Sequence, residues 1–144
     1  LDSVQYPRGK SIANRNSIKQ GRNKIELVVP IKKANSPDGK IPYNETNFAE
    51  KSWNRKILKA IKLSYGNAPF FDLYFERINE IFSKENFCEM NIEFLYFILD
   101  EFSITTKVVL LSEINSNFGK KNDLIIDICK HFNATTYLSG EGAK

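Results

Sequence analysis

Lys107-Val108-Val109-Leu110-Leu111, with Leu124-Ile125-Ile126-Asp127-Ile128-Cys129 and Thr135-Thr136-Tyr137-Leu138 after it, is the stretch on which the fold class turns. Val108 to Leu111 run without polar alternation, as a strand covered on both faces requires. Residues 112–122 are polar, and residues 123–132 place Leu124, Ile125, Ile128, Cys129 and Phe132 on one helical face. Residues 135–138 read as a short strand ending at Ser139-Gly140-Glu141-Gly142. The order strand, helix, strand predicts a parallel pair with a right-handed crossover. The expected fold class is therefore α/β, a small, mainly parallel sheet flanked by helices, with a helical insertion around residues 48–102.

Within that insertion, Trp53, Ile57, Ile61 and Tyr65 recur at four-residue spacing, which predicts a helix from about residue 48 or 51 to Tyr65, capped by Gly66-Asn67 and stopped by Pro69. A second helix is expected over residues 70–82, its stripe of Phe71, Tyr74, Phe75, Ile78 and Phe82 reading as core. A third, residues 90–102, is apolar around most of its circumference and is expected to be the most buried element. Leu95 should then share one core with Val108, Val109, Leu110, Ile125 and Ile128. Upstream, residues 24–31 read as a strand, preceded by turn chemistry at Gln20-Gly21-Arg22-Asn23 and followed by a long loop over residues 33–44.

A chain of 144 residues, 42% hydrophobic with 11 Phe and 6 Tyr, suits one hydrophobic core, so a single domain over residues 1–144 is expected. No run approaches the roughly eighteen apolar residues that cross a bilayer, which predicts a soluble protein without a membrane span. The start at Leu1 has neither an initiator Met nor signal-peptide character and reads as a fragment or a processed terminus. Cys88 and Cys129 stand alone, outside any CxxC pattern, which predicts free thiols in a reducing cytoplasm. His131 lies two residues from Cys129 on a different helical face, so no metal site is expected. The net charge of +4 is local: residues 1–33 hold eight Lys or Arg against two acids, a net of +6, leaving −2 for the rest.

The densest polar constellation is Gln5-Tyr6-Pro7-Arg8-Gly9-Lys10-Ser11-Ile12-Ala13-Asn14-Arg15-Asn16. Guanidinium forks and amides suit carboxylates, phosphates or sugar hydroxyls, which makes Gln5, Arg8, Asn14, Arg15 and Asn16 candidate substrate-binding residues. A solvated basic loop is the plain alternative. Ser139, Gly140 and Gly142 follow the last expected strand, where glycine permits close backbone approach; Ser139 precedes both glycines and does not form GxSxG. Asp2 and Glu141 are the carboxylates nearest these motifs, so Asp2 and Ser139 are the candidate catalytic groups, with Gly140 and Gly142 binding through their amides. If both motifs leave a parallel sheet at its carboxyl edge, they face one cleft. Gly119-Lys120-Lys121 lacks the full phosphate-loop pattern and reads as an ordinary loop before a helix.

Asp2-Ser3-Val4-Gln5-Tyr6-Pro7-Arg8, Asn14-Arg15-Asn16-Ser17-Ile18, Val28-Val29-Pro30-Ile31, Trp53 with Lys59, Tyr65 with Ala68-Pro69-Phe70-Phe71, and Thr136-Tyr137-Leu138-Ser139-Gly140 together resemble the WbqC-like protein family. The resemblance implies a role in bacterial surface-polysaccharide synthesis, O-antigen in particular. It also implies a fragment, since family members usually open with a strand and helix carrying His-Gln-Pro and extend beyond the glycine-rich stretch.

The expected function is an enzyme or enzyme-like domain acting on a nucleotide-sugar or another small anionic metabolite. Group transfer is the reaction class considered, and neither a cofactor nor an oligomeric state is assigned. Two readings compete. One is a nucleic-acid-binding module using the basic N-terminal stretch, disfavoured because no known reader motif is present. The other is a non-catalytic scaffold within a glycan-synthesis complex.

Overall fold

Two antiparallel strands carry the only sheet among the described residues, 2–7, 12–32 and 40–139, of the computed structural model. β1 (Arg15–Gln20) and β2 (Asn23–Val28) form a hairpin in which Gln20 faces Asn23 across the two residues Gly21 and Arg22. Gly21 has φ +58° while Arg22 does not, the φ pattern of a type II′ turn, whose first central position suits glycine. The turn chemistry read at residues 20–23 is therefore the hairpin's turn. Its first strand escaped the sequence reading because Ile18 is the one apolar residue in Arg15-Asn-Ser-Ile-Lys-Gln.

Four helices follow: α1 (Trp53–Tyr65), α2 (Phe71–Ile81), α3 (Phe87–Glu101) and α4 (Asn122–His131). Each lies where apolar periodicity placed a helix. Gly66 closes α1 by donating its N–H to the Lys62 carbonyl at 2.9 Å, and an added Cβ there would meet that oxygen at 2.6 Å. Asn86 starts α3: its Oδ1 accepts from the N–H groups of Cys88 and Glu89, at 2.8 and 3.1 Å. This satisfies two of the helix's first N–H groups. Its Nδ2 donates to the Asn44 carbonyl at 3.0 Å, tying the helix start to the segment before α1.

The mainly parallel α/β sheet is overturned. Residues 107–110 are neither strand nor helix, Leu111–Glu113 is a 3-10 turn, and residues 135–138 are exposed, with Leu138 at 93%. A short apolar run does not by itself distinguish a strand from other half-buried chain. A parallel pair must also close a long crossover before any ladder bond forms, whereas Gly21 brings β1 and β2 together locally. The sheet edge on which the N-terminal and Ser139 motifs were to meet thus has no counterpart among the described residues.

The expected core moves as well. Internal contacts divide the chain between Ser112 and Glu113 into two compact units. The first unit holds a buried cluster of Trp53, Ile57, Ile81, Phe87 and Met90, against which Tyr6, Leu27, Tyr43, Phe48, Phe82 and Phe94 pack. Phe87 is fully buried, with the rings of Tyr6, Tyr43 and Phe48 at 6.0, 5.4 and 6.1 Å, and Phe48 stacks on Trp53 at 4.6 Å. The aromatic side chains thus supply the core that the aliphatic runs were expected to make. Leu95 is 43% exposed, and α3 buries its first turn (Phe87, Cys88, Met90) rather than its middle.

Short antiparallel bridges complete this unit. Gln5 pairs with Pro42, Ile31 with Phe48, and Asn47 with Asn86. Of the loop expected over residues 33–44, residues 33–39 lie outside the described residues, while Ile41, Tyr43 and Asn44 bond the backbone of Tyr6, Val4 and Asp2 at 2.8 Å each. In the second unit α4 has no buried residue. No helix among the described residues is long and apolar enough to cross a membrane.

Candidate functional site

The polar motif of residues 5–16 is split by the fold into a core-facing part and a hairpin base. Gln5 is exposed and bridges Pro42 through its backbone, while Tyr6 turns into the aromatic cluster. Asn14 holds the base of the hairpin shut twice: its carbonyl accepts from Val29 N–H and its Nδ2 donates to the Val29 carbonyl, both at 2.9 Å. Arg15 opens β1 and reaches Glu26 of β2, Nη1 to Oε2 3.2 Å, with its side chain 30% exposed. Asn16 is exposed and its Oδ1 accepts from the next N–H, that of Ser17, at 2.8 Å. Arg8 lies outside the described residues.

Asn14 Oδ1 and Arg15 Nε are buried atoms with no hydrogen-bond partner among the described residues. Leaving one such group unsatisfied costs about 1–3 kcal/mol, so unpaired buried polar atoms mark positions where water or a ligand supplies the missing bond. Here consecutive residues offer one acceptor, an amide oxygen, and one donor, a guanidinium N–H. Glu26 already holds another nitrogen of that guanidinium, which fixes its plane. This opposite-strand carboxylate was missed because the strand carrying Arg15 was not recognised.

Asp2 is 8% exposed, and its Oδ1 accepts from Ser112 N–H at 3.2 Å. Burial pushes its carboxyl up, but hydrogen bonds from the Ser112 side chain and backbone outweigh it and hold the group below the ordinary aspartate range. The side chain is thus an ionised, anchored acceptor that ties the start of the described chain to the end of the first unit. Tyr43 is pushed up to about 12 by burial and then by the neighbouring Cys88 and Tyr6, and the buried Cys88 thiol is raised by burial and by Asp2. Both are held in their protonated, weakly nucleophilic forms.

Ser139 belongs to the second unit and is exposed, while Gly140, Glu141 and Gly142 lie outside the described residues. In that unit, the Gly119 N–H donates to Asp127 Oδ2 at 2.9 Å, and Asp123 also sits against this glycine. A carboxylate therefore occupies the amide that a phosphate would need, as befits an ordinary loop before a helix. A concavity beside α4 is lined by Ile125, Ile126, Cys129, Lys130, Asn133, Ala134 and Tyr137. Cys88 and Cys129 are free thiols, and no group of three or more His, Cys, Asp or Glu among the described residues could hold a metal ion.

From the residues of the family resemblance, Trp53 is core and Tyr65 is a strut: its hydroxyl accepts from the Lys19 N–H at 2.8 Å, joining the end of α1 to β1. The model of the WbqC-like protein family matches residues 1–144, the whole chain, and the chain belongs to that family. No curated protein and no solved structure matches it.

Proposed function

We propose that this member of the WbqC-like protein family is an enzyme or enzyme-like domain of bacterial surface-polysaccharide synthesis, acting in the cytoplasm on a small anionic metabolite such as a nucleotide-sugar. The observation that carries the reading is the pair of buried polar atoms at the hairpin base, Asn14 Oδ1 and Arg15 Nε, which have no partner among the described residues. The guanidinium supplies fixed positive charge and a directed N–H to the anion, and the amide oxygen accepts from a hydroxyl or amide of the same ligand. Gln5 and Asn16, exposed on either side in sequence, and Arg8 complete the binding set in this proposal. Asp2 enters it as a fixed negative charge rather than a strong base, because its lowered pKa leaves it a poor proton acceptor near neutrality. Two free cysteines accord with a reducing compartment.

A thermal-shift series with nucleotide-sugars, nucleotides and amino acids tests this. A ligand at a hundred times its dissociation constant adds about 2.7 kcal/mol to stability. Arg15→Lys should abolish most of that shift despite keeping the charge, because an ammonium cannot present the same fork. A full shift retained in Arg15→Lys and in Asn14→Ala would remove the hairpin base from the site.

A further inference from the structure

We propose that the outer edge of β2 is a self-complementary docking edge, on which a second copy of this chain lays its own β2 antiparallel to form a four-stranded sheet. The argument begins with the ladder. In an antiparallel hairpin, hydrogen-bonded and non-hydrogen-bonded pairs alternate, and the pair flanking a two-residue turn is hydrogen-bonded. With Gln20 opposite Asn23, the pairs Lys19 with Lys24, Ser17 with Glu26 and Arg15 with Val28 are non-hydrogen-bonded. The backbone groups of Lys24, Glu26 and Val28 therefore point away from β1. The Val29 N–H on the Asn14 carbonyl continues this alternation.

The neighbouring stretches of edge are occupied. On the β1 side, the outward N–H of Lys19 is bound by Tyr65. Beyond β2, Lys32 N–H donates to the Asn47 carbonyl and Ala49 N–H to the Pro30 carbonyl, both at 2.9 Å. Between them, no described residue hydrogen-bonds the outward backbone of Lys24, Glu26 or Val28. An open edge of this kind is a template for another strand.

The charges select the occupant. Lys24 lies directly opposite Lys19, an unfavourable like-charge pair, and neither lysine is in an ion pair with a described residue. Glu26, on the same face, is held by Arg15 at one oxygen. A two-fold axis through Ile25 sets Lys24 against the partner's Glu26 and Glu26 against the partner's Lys24, with Ile25 facing the partner's Ile25. All four charged residues then use backbone groups that already point outward. Sliding the register by two residues in either direction sets Lys24 against the partner's Lys24 or Glu26 against the partner's Glu26. One register is thus doubly charge-paired and its neighbours are repelled, as a closed isologous interface requires.

Sedimentation velocity of the full chain over a concentration series tests this, with amide hydrogen exchange as the second readout. The wild type should form dimers as concentration rises, and in the dimer alone the Lys24 and Glu26 amides should become protected. Lys24→Glu should abolish the dimer by setting like charges opposite each other across the axis. Within the monomer it relieves the clash with Lys19, so the thermal midpoint should hold or rise, which separates a lost interface from a lost fold. Lys24→Glu combined with Glu26→Lys restores opposite charges across the axis and should bring the dimer back even though it gives up the Arg15 ion pair within the hairpin, a loss that the thermal midpoint reads separately. The proposal is overturned by a chain that stays monomeric, by a dimer indifferent to Lys24→Glu, by failure of the double exchange to restore it, or by Lys24 and Glu26 amides whose exchange does not follow dimer formation.

Discussion

The two units divide the hydrophobic residues of the chain very differently. Up to Ser112, rings and aliphatic groups interlock, and Phe87, Ile81, Trp53, Met90 and Ile57 are buried around one centre. From Glu113 on, the apolar face of α4 (Leu124, Ile125, Ile128 and Cys129) is only half-buried and the helix has no fully buried residue, while Tyr137 and Leu138 beyond it are 56% and 93% exposed. An amphipathic pattern specifies a helix and a face. It does not specify that enough partner surface exists to bury that face, and burial is what stabilises. The large aromatic rings of the first unit reach one another from several elements, including stretches too short to be strands.

The sharpest way to break this contrast is to truncate the centre of the first unit. Phe87→Ala removes a ring in contact with three others and should cost about 3–5 kcal/mol, since the surrounding aromatics cannot collapse far into the space. Leu138→Ala, at an exposed position, should stay within about 0.5 kcal/mol. Urea denaturation followed by tryptophan fluorescence reads the first directly, because Trp53 is in the same cluster. Equal losses for the two variants would show that the aromatic centre does not dominate stability.

The helices were legible because their signals are local. Four-residue spacing in Trp53-Ile57-Ile61-Tyr65 and the Gly66 stop depend on neighbours within a turn or two. The fold class was not legible, because Val108 to Leu111 would read the same with or without a partner strand. β1 was hidden for the opposite reason: its pairing comes from Gly21 and the register, while its side chains are nearly all polar. Arg15 and Asn14 could be singled out by residue type, but their unpartnered buried atoms follow from the hairpin geometry. The misplaced core has the same origin. Leu95 was expected to be buried because its helix is apolar on most sides, yet only the first turn of that helix meets the aromatic cluster.

A smaller effect sharpens the role of the links between short segments. Asn86 caps α3 and grips the Asn44 carbonyl, so Asn86→Ala removes all three bonds and should cost about 1–2 kcal/mol. Asn86→Asp keeps the cap acceptor but loses the Nδ2 donor, and should recover part of that loss. Thermal denaturation of the two variants separates helix capping from the tie to the preceding segment. If Asn86→Asp is no more stable than Asn86→Ala, the tie outweighs the cap.

The smallest expected change concerns the other end of the first unit, where Asp2 holds Ser112. Its native pKa is lowered, so the native state binds this proton less readily than the unfolded chain does. The resulting stabilisation is fully present above the unfolded aspartate value of about 3.9 and is lost as pH falls through the lower native value. Asp2→Asn keeps an oxygen able to accept from Ser112 N–H but removes the charge, so the loss near neutral pH should be about 1 kcal/mol or less. The informative quantity is the slope. Wild type should lose stability relative to Asp2→Asn as the solution is acidified below the unfolded value, so that the two curves converge. Urea midpoints measured from neutral pH into the acid range would show it. Curves that stay parallel would mean that the Asp2 to Ser112 link contributes no charge-dependent stability, leaving the backbone bonds to Ile41, Tyr43 and Asn44 and the packing of Tyr6 against Tyr43 and Phe87 to hold the first segment in place.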